Sequence, residues 1–330
     1  MANIKDVAKR AGVSVTTVSR VINNRGYIGK ETRKKVEKAM AEIDYSPNQI
    51  ARALQRSQSF LIGVVVPDSG HPFFAELIKN IELFAYNNNY KLLICNSLDE
   101  AKKEAKYISM LRENRVDGII MCSQTLDVEE YKKVQLPIVS FDRILSNNIP
   151  YVSSDNFNGG TIATEHLIKS GCKRLLHISG PLNLEMLSNR RADAFKLTCM
   201  KYDIPHAIIE GEFSKQAFTT YPEDFVKNNL GDELLNYDGV FCSNDILAYA
   251  LYMYAQKMKI NVPQQLKIVG YDYTSFTRIL QTPKLTTIQQ PADQIGKELC
   301  SALIKMIENK DSEVINNTIV DVALIKGDTT

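Results

Sequence analysis

The chain has 330 residues, 44% hydrophobic and 24% charged, which excludes a disordered or collagenous polymer and leaves a globular protein long enough for more than one domain. No apolar run approaches the roughly 18 residues of a membrane span, and the opening MANIKDVAKR lacks the apolar core of a secretion signal, so no membrane partner and a cytoplasmic location are expected. The net charge of +2 is unevenly spread: residues 1–59 hold 12 Lys/Arg against 5 Asp/Glu, the remainder 28 against 33, as expected where one small domain faces a polyanion.

In chain order, Ile4, Val7, Ala8 and Ala11 have the three- and four-residue spacing of a buried helical stripe, and Gly12 fits a left-handed helix end. Ser14 then offers a hydroxyl to a free backbone amide of a second helix, whose apolar face is Val18, Val21 and Ile22. Val15, Thr16, Thr17, Ser19 and Arg20 are left partly or wholly outside. A third helix, Glu31 to Ile43, lines up Val36, Ala39, Met40 and Ile43 and puts acidic Glu31 where the helix dipole favours it. Ser46-Pro47-Asn48 is a turn, and QIARALQRSQS carries too little apolar surface to hold a helix alone. Residues 46–59 therefore read as a conditionally ordered linker.

From Phe60 short apolar runs alternate with amphipathic stretches. Expected strands are 61–66, 91–95, 118–122, 137–141, 174–179, 239–243 and 267–271; helical stretches near 73–88, 101–114, 160–170, 187–203, 244–258 and 291–309 separate most of them. That alternation implies α/β architecture with doubly wound parallel sheets, and its length implies two lobes. Such sheets bind ligands beyond the carboxyl ends of their strands. There stand Pro67-Asp68 and His71-Pro72-Phe73-Phe74, Asp142-Arg143, Ser154-Asp155-Asn156, Asn244-Asp245, Asp272 and Gln289-Gln290. Carboxylates, amides and an arginine beside aromatic rings suit a polyhydroxylated ring, whose hydroxyls need donors and acceptors and whose C–H face packs on aromatics.

Nothing points to catalysis. Six scattered cysteines (95, 122, 172, 199, 242, 300) contain no C-x-x-C pair, and the histidines (71, 166, 177, 206) lack metal-ligand spacing. There is no G-x-G-x-x-G, G-x-S-x-G or G-x-x-x-x-G-K-[ST]. No metal, no cofactor and no enzymatic activity are expected.

IKDVAKRAGVSVTTVSRVINN, TRKKVEKAMAEIDYSPNQIARAL, VDGII, SSDN, HISGP, SNDILA, IVGYD and LTTIQQP together resemble the bacterial LacI/GalR family of transcriptional repressors. Residues 60–330 resemble the periplasmic sugar-binding proteins. The resemblance implies an all-α helix-turn-helix headpiece at 1–45, a hinge at 46–59 and a two-lobed core at 60–330. The lobes are expected at about 60–158 with 291–320 and 159–290 with 321–330, joined by crossings near 158, 290 and 320. Val15 to Asn23 becomes the recognition helix, with its cap Ser14 among the DNA-binding residues: Val15 toward a thymine methyl, Thr16 and Arg20 toward base edges, and Thr17, Ser19, Asn23, Tyr27 and Thr32 toward phosphates. Asn48, Ala51 and Leu54 match the hinge helix that orders on operator DNA, with Leu54 as the minor-groove wedge.

For the effector, the resemblance is closest to ribose-type binders. It places Phe73, Phe74 and Phe213 at ring-stacking positions and Asp142, Arg143, Arg191, Asn244, Asp272 and Gln290 at polar ones, with Arg190 as the alternative register for Arg191. His71 departs from the asparagine usual there. Fructose, sucrose or a phosphorylated sugar compete, because sucrose-operon repressors share SFDR and HISGP. The implied partners are palindromic double-stranded operator DNA, a sugar and a second copy of the chain. The absence of trailing leucine heptads argues against a tetramer. A sugar-binding protein with no DNA role is the alternative class, and the basic helical front speaks against it.

Overall fold

A computed structural model describes residues 2–46, 58–98, 100–123, 131, 135–183, 186–211, 221–279, 282–308 and 316–330. The chain forms two units, Met1–Phe60 and Leu61–Thr330. In the first, α1 (Ile4–Ala11) opens on a reciprocal cap: Asn3 Oδ1 accepts from the Lys5 amide at 2.8 Å, and Asp6 accepts from the Asn3 amide at 2.9 Å. It stops at Gly12, whose φ of 66° is the left-handed conformation glycine adopts without strain. Ser14 caps α2 (Val15–Asn23) by accepting from the Thr17 amide at 3.1 Å. With α3 (Lys30–Glu42) the two helices enclose Val7, Ala8, Val18, Val21, Val36 and Ala39, while Ile22, Met40 and Ile43 are only partly buried.

The second unit is built on two sheets, each of six strands among the described residues. The first contains β1 (Leu61–Val66), β2 (Lys91–Asn96), β3 (Gly118–Met121), β4 (Ile138–Phe141), β5 (Tyr151–Ser154) and β11 (Thr318–Val320), in the order β11-β5-β4-β3-β1-β2, all parallel. The second contains β6 (Leu175–Ser179), β7 (His206–Glu210), β8 (Gly239–Cys242), β9 (Lys267–Asp272), β10 (Thr286–Gln289) and β12 (Ala323–Ile325), in the order β12-β10-β9-β8-β6-β7, parallel except for β12. Helices α4 (Pro72–Asn87), α5 (Ala101–Glu113) and α11 (Ala292–Glu308) pack on the first sheet. Helices α6 (Asn156–Lys169), α7 (Arg190–Lys201), α8 (Tyr221–Asn229) and α9 (Asp245–Lys257) belong with the second, and the short α10 (Ser275–Ile279), which follows β9, touches α4.

Central strands such as GVFC, IVSF and GIIM are buried throughout because helices cover both faces, so they show no alternation. In both sheets the chain winds outward in both directions from its first strand. That reversal opens a crevice at the carboxyl ends of β1 and β3, and of β6 and β8. The chain passes between the sheets three times: from β5 into α6, from β10 into α11, and from β11 into β12.

The stretch expected as helix from 187 starts as a 3-10 turn, Leu187–Asn189, before α7, and α6 starts at Asn156, ahead of the expected 160. At Gly160 an added Cβ would lie 2.6 Å from the Arg191 carbonyl oxygen, so glycine lets α6 and α7 touch backbone to backbone. All six cysteines are buried and unpaired, and burial pushes the Cys95 and Cys172 thiols up to about 11, which leaves them inert. Among the described residues no helix is long and apolar enough to cross a membrane.

Candidate functional site

In the helical unit the outer face of α2 presents Val15, 41% exposed, together with Ser14, Thr16 and Arg20. Tyr27, at 97%, projects fully into solvent, and Thr32 is half-buried in the first turn of α3. Thr17 has a local task as well, its hydroxyl lying 2.9 Å from Ser14 Oγ across the cap. Asn23 departs from its expected place as an open phosphate ligand: it is buried, and its amide donates to Ser19 Oγ at 3.3 Å, bracing the end of α2. Arg33 donates to Asn24 Oδ1 at 2.7 Å and so holds the left-handed turn that ends α2. Asn48, Ala51 and Leu54 lie outside the described residues, as does Phe213.

In the second unit the strand ends converge from both sheets. His71 caps α4, its Nδ1 accepting from the Phe73 amide at 3.2 Å, so the imidazole proton sits on Nε2. Burial brings its pKa down to about 4 despite the upward pull of Asp68, and the ring stays neutral at physiological pH. Phe73 and Phe74 are buried against one another, Phe73 also stacking on Phe141 with ring centroids 5.5 Å apart. Arg143 is buried beside the Tyr131 ring, whose hydroxyl donates to buried Glu104 on α5.

Two polar chains join the remaining groups. Asp142, just past β4, accepts from Ser153 Oγ and Asn156 Nδ2, both at 2.6 Å. Arg191, in the first turn of α7, donates from Nε to Asn156 Oδ1 at 2.7 Å and from Nη1 to the Ser243 carbonyl at 2.8 Å, with its guanidinium 3.6 Å over the Tyr271 ring. In the second chain Gln290 donates to Asp272 Oδ1 and accepts from Ser154 Oγ, both at 2.6 Å. Asn244 caps α9 through its side-chain oxygen, which keeps its amide hydrogens for other partners. Burial, then the neighbouring Asp245, pushes the Asp272 carboxyl well above the usual range, against the pull of Arg191 and Gln290. Asp245 itself is pushed up to about 6 by burial, though Thr277, Thr287 and the Tyr273 amide donate to it.

Asp142, Arg191, Asp272 and Gln290 are thus brought into connected networks, together with Ser154 and Asn156, and the members not singled out from sequence are Ser153, Ser243 and Tyr271. Their signal was position only, one or two residues from a strand end. Near Gln290 a cavity of about 500 Å³ opens between α4 and α10, lined by residues including Pro72, Lys79 and Asp293. Glu76 spans its rim, accepting from Arg278 Nη2 at 2.6 Å and from the Ser275 amide at 2.9 Å.

Residues 59–328 match the family described as periplasmic binding proteins and sugar binding domain of LacI family, and residues 3–48 match bacterial regulatory proteins of the lacI family. The chain belongs to the LacI family. This LacI-family chain is 41% identical to the sucrose operon repressor of Pediococcus pentosaceus, over 98% of each protein. It is 36% identical to the ribose operon repressor of Halalkalibacterium halodurans, over 94% of this chain and 92% of that one. Among solved structures, the lac repressor dimer bound to operator and the anti-inducer ONPF aligns with a TM-score of 0.85 at 25% identity, covering 99% of this chain and 98% of that one. A periplasmic binding protein/LacI transcriptional regulator from Alkaliphilus metalliredigens, complexed with D-xylulofuranose, aligns at 0.75 and 34% identity, covering 82% and 98%. The protein is accordingly a transcriptional repressor with the family's helix-turn-helix headpiece and sugar-binding core, and its relatives are regulators rather than enzymes.

Proposed function

We propose that this repressor acts in the cytoplasm as a homodimer on a palindromic operator, and that a sugar held between the core lobes sets its affinity for that operator. The observation that carries the reading is the buried convergence of Asp142, Asp272 and Gln290 from the strand ends of both sheets with Arg191 from the first turn of α7. Carboxylates accept from sugar hydroxyls, guanidinium and amide groups donate to them, and burial makes each unmatched hydroxyl costly, which gives selectivity. Arg143, Asn244 and the neutral His71 add donors, and Phe73, Phe74 and Phe213 supply the apolar side of the site. On the DNA side Val15, Thr16 and Arg20 read bases, while Ser14, Thr17, Ser19, Tyr27 and Thr32 hold phosphates, with Tyr27's exposure supporting its part. Asn48, Ala51 and Leu54 form the hinge that enters the minor groove.

A ribose-like pentose is the first reading of the effector, supported by the match of polar positions to ribose-type binders and by the ribose operon repressor among the relatives. Sucrose or its fructose half is the second, favoured by the 41% identity to a sucrose operon repressor. Operator binding and thermal unfolding, each titrated with ribose, fructose, sucrose and their phosphates, separate them: the effector raises Tm by mass action and shifts operator affinity. Asp272→Ala is expected to bind operator and ignore the sugar. A variant that responds at wild-type sugar concentrations refutes the site.

A further inference from the structure

Asn156 occupies a place that no other described side chain shares. It is the first residue of α6, where the chain leaves the first sheet for the second, and only 3% of it is exposed. Its Oδ1 accepts from Arg191 Nε at 2.7 Å, and its Nδ2 lies 2.6 Å from Asp142 Oδ1, 3.1 Å from Ser153 Oγ and 3.1 Å from the Ser154 carbonyl. Asp142 belongs to the first sheet and Arg191 to the second, so one amide bonds to a charged group of each lobe. A carboxylate only accepts and a guanidinium only donates; the amide, which does both, has its orientation fixed by the two charges.

The intervening amide has a chemical consequence. A direct fork between Asp142 and Arg191 would use both carboxylate oxygens and two guanidinium nitrogens on each other. With Asn156 between them, Asp142 spends Oδ1 and Arg191 spends Nε and Nη1. Among the described residues no hydrogen bond goes to Asp142 Oδ2 or Arg191 Nη2.

We propose that Asn156 is a positioning residue of the effector site: its amide holds Asp142 and Arg191 at a fixed spacing across the lobes and keeps one polar edge of each for the sugar. This rests on the effector reading above, and makes the two halves of the site respond to ligand as one.

The test is operator binding titrated separately with D-ribose, D-fructose, sucrose and their phosphates, alongside thermal unfolding, for wild type, Asn156→Asp, Asn156→Ala, Asp142→Asn and the double variant Asp142→Asn/Asn156→Asp. Asn156→Asp keeps the acceptor for Arg191 but turns an oxygen toward Asp142, and is expected to raise the sugar concentration at half-response at least tenfold. The double variant reverses the polarity of the pair: the amide introduced at position 142 donates to the carboxylate introduced at position 156, and its own oxygen still faces the sugar. It is expected to recover at least threefold of that loss, a positive coupling that loss of packing alone does not produce. Asn156→Ala, which removes both bonds without adding repulsion, is expected to lose sensitivity with no recovery from Asp142→Asn, and carries the comparison if Asn156→Asp fails to fold. Asn156 variants responding at wild-type sugar concentrations, or a double variant no better than Asn156→Asp, overturn the inference. A wild type that responds to none of the three sugars or their phosphates overturns the effector reading itself, and does so before any variant is compared.

Discussion

His71 converts the burial of one imidazole into a measurable acid sensitivity. Its pKa falls from 6.5 to about 4 on folding, so its contribution is fully present above pH 6.5 and is lost as the pH falls toward 4, where the unfolded chain takes a proton the folded chain refuses. At pH 5 this difference amounts to about 2 kcal/mol, from about 1.4 kcal/mol per pKa unit. His71→Asn removes the titration and keeps the cap, since asparagine accepts from the Phe73 amide as well as the imidazole does. The measurement is urea unfolding of both proteins at pH 7.5 and pH 5.0, followed by circular dichroism because the chain has no tryptophan. Every other titrating group, including His177 with its own lowered value and Asp245 and Asp272 with raised ones, is common to both and cancels. Wild type is expected to lose about 2 kcal/mol more than the variant on acidification. Equal losses refute the reasoning, because His71 would then titrate alike folded and unfolded.

Asp272→Asn is expected to raise Tm at pH 7.5 and to abolish the sugar response. A carboxyl whose folded value is raised costs stability above that value, so the gain shrinks as the pH is lowered; a Tm difference that grows toward acid contradicts this. Ser14→Ala removes the cap of α2 and is expected to cost about 1 kcal/mol of headpiece stability and to weaken operator binding, read by denaturation and by DNA titration. Glu76→Gln breaks an ion pair whose arginine side chain is 40% exposed, so unfolding should shift by less than about 1 kcal/mol while sugar dissociates severalfold faster in stopped-flow, since the pair spans the two lobes.

The central strands were legible because burial on both faces leaves an unbroken apolar run: Ile62 to Val66 and Ile119 to Met121 announce themselves. His206–Glu210 did not, because it is an edge strand of mixed, half-buried residues, and the three-residue strands Thr318–Val320 and Ala323–Ile325 are too short for any period to show. Helix caps at Asn3, Ser14 and Asp155 are local chemistry and sit within a few residues of what they cap. The site divides the same way. Asp142, Asp272 and Gln290 stand at strand ends and are found by position. The bonds that unite them join residues as far apart as Ser154 and Gln290, and no local pattern encodes such a pairing. Asn23 shows the converse: a polar residue on a polar helix face turned inward because Ser19, one turn back, offered it a partner.

The threefold passage between sheets fixes an order of events during synthesis. The helical unit is complete when residue 60 has been made, but the first sheet receives neither its covering helix Ala292–Glu308 nor its edge strand Thr318–Val320 until the far end of the chain arrives. At about 5 to 20 residues per second that interval is on the order of 10 to 50 seconds. In its later part, once Ser154 has been made, β5 has an open edge and strands β3 to β5 lack their cover, so a nascent chain carries a finished DNA-reading module ahead of an unfinished sensor. Premature termination between β5 and the last crossing leaves that module attached to exposed sheet, a product open to edge pairing and aggregation rather than to control by ligand.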